Sequence, residues 1–507
     1  MKKYISIWII LLMTLFIFVG CTSNKNDNLD SAKYSYDEAK TILLNDTSAE
    51  VAKGISFENN TITISKSGAY SISGNSNGIN ILVDCDDEVD LYLNGINMYN
   101  ESKPCIYSKN SSKTFIIPMN NTENNLQDSS NGYETDEGEK LDAVIFSCSD
   151  LYFDGSGKIN ITANYKHAIC GKDSIYLSNI DLESSSIKKG ISSNDEIIIN
   201  SGNYNIASVE GDCIHADDAD KGNIIINDGT INIDAADDGI HAENSFIIND
   251  GKINILNSKE GIEAHTIDIN GGDIILIAND DGINAADFSN NTEETFNPDK
   301  RNNDSFNPEN NMNQPPDKPE EVPNNTNGQP PEPLNNSNNQ QPPMNDNINP
   351  IFDVDESCYV HITGGNLDIN ANGDGIDSNG EIKITGGTII AFGSNTGGNS
   401  VLDYGTKAII DKGNVLLYGS SGMIEPFTEG NSNSIVIYLT NRINTEDTIS
   451  VNNTSGEELI STKAKNSADC IIIGGDKFSE GEYILKINNE EFNFTINKEH
   501  TSINIEK

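Results

Sequence analysis

The stretch DGIHAENSFIINDGKINILNSKEGIE, Asp238–Glu263, decides the fold. It opens and closes on an acid-glycine-isoleucine step. Between these lie two aliphatic runs, Phe246-Ile247-Ile248 and Ile253-Asn254-Ile255, parted by Asp250-Gly251. Such short strands do not survive as isolated hairpins. The unit recurs, however: Gly190, Cys213, Gly239, Gly261 and Gly282 hold equivalent places at intervals of 21 to 26 residues. His167-Ala168-Ile169 precedes them by one period, and Asp374-Gly375-Ile376-Asp377 resumes the pattern further on. A period near 22 with β-branched runs and glycine turns predicts a β-solenoid, in which each coil buries its aliphatic side chains against the next. The expected class is all-β, a right-handed parallel β-helix. Ile169, Ile191, Ile214, Ile240, Ile262, Ile283 and Ile376 then form one internal column, with coils ~4.8 Å apart. The glycines beside them need either a left-handed backbone or room; Ala168 and Cys213 at two of these places favour room.

Outward from this core the texture persists. Thr61-Ile62-Thr63-Ile64 and Val89-Asp90-Leu91-Tyr92-Leu93 read as short strands, and the polar stretch from Asn120 to Lys140 as an exposed loop. The helix domain is expected over 49–430. It is interrupted at 288–352 by an Asn/Pro-rich insertion that holds twelve of the fifteen prolines and cannot form a core. Residues 431–507 carry strand-like runs such as Ser434-Ile435-Val436-Ile437 and read as a β cap over the open end.

Lys2-Lys3, an apolar run to Val19 and a small residue before Cys21 fit a secretory signal over 1–20. Phe18-Val19-Gly20-Cys21 resembles the lipobox of bacterial lipoproteins, with Phe18 in place of the usual Leu. This implies lipid attachment at Cys21, a tether over 21–48 and a place on the extracellular face of the bacterial membrane. Lys and Arg number 32 against 78 Asp and Glu, a formal charge of −46. That surface repels nucleic acid and anionic lipid and attracts cations. The seven cysteines beyond Cys21 lack CxxC spacing and read as small buried side chains, one or two disulfides being the lesser reading. A monomer is expected.

Acids and histidines flank the Gly-Ile step. Asp212, Asp238, Glu260, Asp281 and Asp374 precede it; His215, His241, Glu263, Asn284 and Asp377 follow it; Asp217, Glu243 and His265 stand two places further on. Residues i and i+2 of a strand share a face, so stacking crowds carboxylates unless a cation intervenes. A hard divalent ion with oxygen ligands, Ca2+, fits that need. The candidate metal ligands are Asp212, Asp217, Asp218, Asp237, Asp238, Glu243, Glu260, Glu263, Asp280, Asp281, Asp287 and Asp374. His215, His241, His265, Asn284 and Asp377 are candidate ligand-binding residues, and a transition metal at the histidines is the minor alternative. The bland alternative is that turn acids only solubilise the solenoid.

A long groove beside stacked coils suits a polysaccharide, although the one tryptophan, Trp8, lies in the signal. For an acidic-glycan lyase, Lys172, Lys188, Lys189 and Lys259 are candidate bases without a recognisable constellation, and recurring acid pairs look like metal ligation more than one hydrolytic centre. No enzyme activity is expected.

Ile62-Thr63-Ile64, Gly68-Ala69-Tyr70, Val89–Gly95, Leu151-Tyr152-Phe153-Asp154-Gly155-Ser156-Gly157, the turns at Asp238 and Asp374, and Cys470-Ile471-Ile472-Ile473 with Glu480-Gly481-Glu482-Tyr483 together resemble a family of bacterial carbohydrate-binding proteins. These proteins are related in architecture to pectate-lyase-like parallel β-helices. The resemblance runs from Ile55 to Ile487, the insertion aside. It implies calcium within the β-helix, binding of cellulose-like or acidic plant polysaccharide, and no general lyase activity. Asp212, Asp238, Asp281 and Asp374 match the family's turn acids; Ala168, Cys213 and Lys189 depart from its pattern. An adhesive or structural solenoid without glycan binding remains the reading of a different class.

Overall fold

The computed structural model describes residues 30–133, 138–287, 354–497 and 500–505. The expected signal, Cys21, and the insertion at 288–352 lie outside these residues.

Strands of three to thirteen residues follow one another around about eleven turns of a parallel β-solenoid. Its first sheet stacks Asn80–Asp84, Ile106–Asn110, Ala143–Ser147, His167–Gly171, Ile191–Ser193 and Ile214–Ala216, and continues through Ile240–Ile248 and Ile262–Ile269. One register position carries Ile81, Ile106, Ile145, Ile169, Ile191, Ile214, Ile240, Ile262, Ile283, Ile376 and Leu402 in direct succession. All are fully buried. The expected column therefore exists and extends beyond the residues from which it was inferred. Coil upon coil, each isoleucine meets its own copy, so an apolar wall needs only one repeated residue.

Two kinds of glycine shape each turn for different reasons. Gly202, Gly229, Gly251 and Gly272 have φ of 122°, 126°, 110° and 89°, a left-handed backbone that penalises a side chain. The corner glycines do not adopt positive φ. A Cβ on Gly239 would lie 2.7 Å from the Gly261 carbonyl oxygen, and one on Gly282 2.5 Å from that of Gly375. Crowding by the next coil is what excludes side chains there.

The solenoid begins earlier than the boundary read from sequence. Lys40–Asp46, inside the expected tether, pairs in parallel with Gly68–Asn77 and buries Ile42 and Leu44. Two alternating apolar residues suffice once a preformed coil receives them. The stretch 120–140 is likewise not all loop. Glu123–Asp128 is a strand whose buried positions are Asn124, Leu126 and Asp128, the Asn124 Oδ1 accepting from the Gly95 and Ile96 amides at 3.0 and 3.2 Å. An amide that satisfies backbone donors replaces an aliphatic residue, which hid the strand from pattern reading.

Across the gap at 288–353 the register is kept. Ile283 pairs with Ile376, and Asp273–Ala278 pairs with Asn366–Ala371. At the far end Ala468–Gly475 runs antiparallel to Lys407–Gly419, and a four-stranded antiparallel sheet formed by Thr448–Asn453, Glu458–Lys463, Gly481–Ile487 and Glu490–Ile496 adds a second core. Cys85, Cys105, Cys170, Cys213, Cys358 and Cys470 are buried, Cys148 is half-buried, and none is paired. No helix among the described residues is long and apolar enough to cross a membrane.

Candidate metal and ligand corner

Beside the isoleucine wall, the next register position of the first sheet points outward. It carries Ser192, His215, His241, Glu263, Asn284, Asp377 and Asp403 on successive coils. The acids before the Gly-Ile step line the same corner and have a structural duty. Asp212 Oδ1 accepts from the Asp238 amide at 3.1 Å, Asp238 Oδ1 from the Glu260 amide at 3.3 Å, and Asp281 Oδ1 from the Asp374 amide at 2.6 Å. The Ser400 amide donates to Asp374 in the same way. Each carboxylate thus holds the following coil, and Asp and Glu recur there for that reason as well as any other.

The corner divides into two halves. In the first, imidazoles sit between carboxylates. His215 lies 2.6 Å from Asp212 through Nδ1 and 2.6 Å from Asp217 through Nε2. His241 lies 3.2 Å from Asp238 and 2.9 Å from Glu263 through Nδ1, and 3.5 Å from Glu243 through Nε2. The two rings stack with centroids 4.5 Å apart. Burial opposes charge on His241, yet its bonds to Asp238, Glu243 and Glu263 push it up to about 12. Burial would raise Asp212 too, but the bond to His215 holds it below its ordinary range. Lys189, which breaks the acid pattern of the earlier coil, reaches Asp217 at 2.8 Å. In this half His241 and Lys189 are the charged partners, while Glu263 is still pushed up to about 8 by burial and by Glu260.

In the second half the carboxylates have none. Oxygens of Asp281, Asp374 and Asp377 lie within 4.8 Å of one another. Burial, followed by neighbouring negative charge, pushes Asp281 up to about 7, Asp374 to about 6 and Asp377 to about 8. Asp403 adds charge to Asp374 and Asp377. Glu425 is pushed to about 7, by burial and then by Asp403, and its Oε2 is buried without a hydrogen-bond partner. Among the described residues no Lys, Arg or His forms an ion pair with any of these five acids. An all-oxygen, half-buried and uncompensated donor set fits a hard divalent ion.

The remaining sequence candidates are distributed unevenly. Glu260 joins the two halves: its Oε2 accepts from Asn284 Nδ2 at 2.9 Å and its Oε1 meets Lys259 Nζ at 3.0 Å. Asp237 approaches Asp212 and Asp238 within 4.8 Å. Asp280 contributes charge to Asp281 and Asp374. Asp218 does not face the corner cluster; it accepts from the Asp220 and Lys221 amides of its own loop, at 2.9 Å each. Asp287 stands outside the carboxylate groups. His265 turns away to Ser357 Oγ at 3.1 Å and Cys358 Sγ at 3.6 Å. Asp403 and Glu425 were not legible. Asp403 follows Val401-Leu402, where no glycine marks the step, and Glu425 comes from a loop outside the repeat.

The lysines considered as bases are all engaged. Lys172 pairs with Glu139 at 3.4 Å, Lys188 with Glu210 at 3.0 Å, Lys189 with Asp217 and Lys259 with Glu260. Lys259 and Lys172 are raised above the ordinary lysine range by their glutamates against the opposing effect of burial, the reverse of what proton abstraction requires.

A carbohydrate-binding domain-containing protein of Acetivibrio thermocellus is 28% identical over 162 residues, 31% of this chain and 57% of the relative. The chain therefore spans little more than half of that relative's length. A solved polysaccharide lyase-like protein from C. thermocellum, a gadolinium derivative, is 26% identical over 46% of this chain and 93% of its own, with a TM-score of 0.41. Over residues 58–297 the chain is similar to a family described as carbohydrate-binding domain-containing proteins, and that span includes the histidine half of the corner and Asp281.

Proposed function

We propose that this protein is a calcium-dependent polysaccharide-binding solenoid, non-enzymatic and displayed on the bacterial surface by a lipid on Cys21. A glycan partner is supported by the similarity of residues 58–297 to carbohydrate-binding domain-containing proteins, and we take that glycan to be cellulose-like or acidic. Calcium rests on one observation: the half-buried carboxylates of Asp281, Asp374 and Asp377 crowd together without a cation. A divalent ion removes the repulsion that otherwise loosens the coils on both sides of the gap at 288–353, and so keeps the binding surface rigid. Asp403 and Glu425 complete the acidic surroundings of that ion.

The test is calorimetric. The wild-type protein should take up Ca2+, and D281N/D374N/D377N should lose that uptake. Retention of the wild type on insoluble glycan should fall when a chelator is added, without release of reducing or unsaturated ends. Equal calcium stoichiometry in the triple variant would remove the assignment.

A further inference from the structure

The chain returns from the gap at 288–353 through residues that the acidic corner does not use. His265 belongs to the strand Ile262–Ile269, and Asp355, Ser357 and Cys358 make the turn that leads into Tyr359–Ile362, its neighbour in register. The turn is tight. The Cys358 amide donates to the Asp355 carbonyl at 3.1 Å, and Asp355 Oδ1 accepts from the Ser357 amide at 2.8 Å. The next coil pins it: the Asp355 amide donates to the Asn379 carbonyl at 2.9 Å, and a Cβ on Gly380 would lie 2.5 Å from the Asp355 carbonyl oxygen.

Hydrogen bonding then fixes the proton of His265. Ser357 Oγ lies 2.6 Å from Asp355 Oδ1 and 3.1 Å from His265 Nε2. The contacts from Ser357 hold Asp355 below the ordinary carboxylate range. An ionised carboxylate only accepts, so the single hydroxyl proton goes to Asp355. Ser357 must accept from His265 Nε2–H, and Nδ1 keeps its lone pair. That lone pair faces Cys358 Sγ at 3.6 Å. Metal-ligating histidines are oriented in this way, with the far nitrogen held by a carboxylate relay and the near one bare.

The thiol completes the pair. Cys358 is fully buried, and burial, followed by the charge of Asp355, Asp287 and Asp377, pushes it up to about 12. Without a cation the sulfur keeps its proton and donates it to Nδ1 as a hydrogen bond. Sulfur and imidazole together select a borderline ion over a hard one such as Ca2+. A tetrahedral zinc ion with sulfur at ~2.3 Å and nitrogen at ~2.0 Å sets those two atoms ~3.5 Å apart. The separation across the pair, 3.6 Å, is of that size. We propose that Cys358 and His265 bind a zinc-class divalent ion that staples together the strands on the two sides of the gap. Binding breaks the S–H bond, forms metal–sulfur and metal–nitrogen bonds and releases the proton to solvent. Asp355 or Asp287, with water, supplies the remaining oxygens. His265 is half-buried and Ser357 exposed, so the ion enters from their side.

The experiment is titration of the reduced full chain with Co2+, a spectroscopic stand-in for zinc, in saturating calcium. Cobalt should produce the near-ultraviolet charge-transfer absorption of a metal–thiolate bond, and Zn2+ should abolish it. Cobalt held by nitrogen and oxygen alone gives no such band, so the corner histidines do not imitate it. C358S should lose the band. H265Q and S357A should each weaken cobalt by about ten-fold or more; S357A leaves both ligands in place and tests the relay without disturbing the core. D281N/D374N/D377N should keep the band, which separates this site from the calcium reading. No band in the wild type, a band retained in C358S, a band lost in D281N/D374N/D377N, or undiminished cobalt affinity in both H265Q and S357A would overturn the inference.

Discussion

The two halves of the acidic corner are built on one backbone plan and solve the same electrostatic problem differently. From Asp212 to Glu263 an imidazole or ammonium lies within reach of Asp212, Asp217, Asp238, Glu243, Glu260 and Glu263, and His241 serves as an internal counter-ion. From Asp281 to Asp403 the same register positions hold Asp281, Asp374, Asp377 and Asp403 with the uncharged Asn284 and Ser400, and neutrality of these acids requires protons or a metal. Asn284, on the coil of Asp281, bonds to Glu260 at 2.9 Å and to Glu263 at 3.4 Å and so links the two halves. Repetition of a backbone unit therefore does not repeat a binding site. One substitution at the position after the isoleucine, His to Asp, changes a self-neutralised coil into one that calls for an ion.

The largest expected effect is a difference in sign between the halves. Asp212→Asn keeps the side-chain oxygen that accepts from the next coil but removes the charge facing His215, whose partner lies 2.6 Å away in a buried site. Breaking one side of such a pair costs about 3 kcal/mol, the low end of the usual range because Asp217 remains on the other nitrogen. Asp377→Asn should do the opposite in chelator, raising stability by relieving repulsion from Asp281, Asp374 and Asp403. Urea melts of both variants without calcium check this; loss of stability in both would mean that the halves do not differ as described.

How much of this could be read in advance depends on what each residue's neighbours are. The isoleucine column was legible because a solenoid core needs one residue type at one spacing, and Ile191 to Ile376 obey it across an insertion of arbitrary length. The strands at Lys40–Asp46 and Glu123–Asp128 were not, since Ile42 and Leu44 are only two apolar positions and Asn124 earns burial by bonding backbone. The corner was legible as a list of residues but not as two halves. Whether His215 contacts Asp217 and His265 does not is set by side-chain direction one or two positions along, which spacing alone does not encode. Asp403 was hidden by the missing glycine and Glu425 by its place outside the repeat, although both lie at the acid cluster.

An intermediate effect is a pH dependence that belongs to the acid half. Asp281, Asp374 and Asp377 are raised to about 7, 6 and 8, against about 4 in the unfolded chain. The folded state binds more protons, so without calcium their contribution is complete below pH ~4 and is lost as pH rises through the folded values. His241, raised to about 12, keeps its contribution below its unfolded value and loses it only as pH climbs towards 12. Glu263 of the histidine half, raised to about 8, and Asp90, raised to about 6, add to the same decline, so the share of the acid half is the part that D281N/D374N/D377N removes. In chelator the melting temperature should fall by about 5–10 °C from pH 5 to 8, a few kcal/mol for a chain of this size. Calcium should flatten or reverse the trend, because deprotonated carboxylates are what it binds. A calcium-free profile unchanged in D281N/D374N/D377N would remove the acid half as its source.

The smallest effect sharpens the boundary of the histidine half. Lys189 stands where the other coils have an acid and meets Asp217 at 2.8 Å, with the two side chains 21% and 43% exposed. Solvent screens such a pair, so Lys189→Gln should cost no more than about 1 kcal/mol. Its value lies in the contrast with Asp212→Asn, one coil away and buried. If Lys189→Gln destabilises as strongly, Asp217 is held by the ammonium and His215 is not the principal counter-ion there. If it is near neutral, the imidazole between Asp212 and Asp217 is what holds that cluster together, and the contrast with the acid half rests on the two histidines.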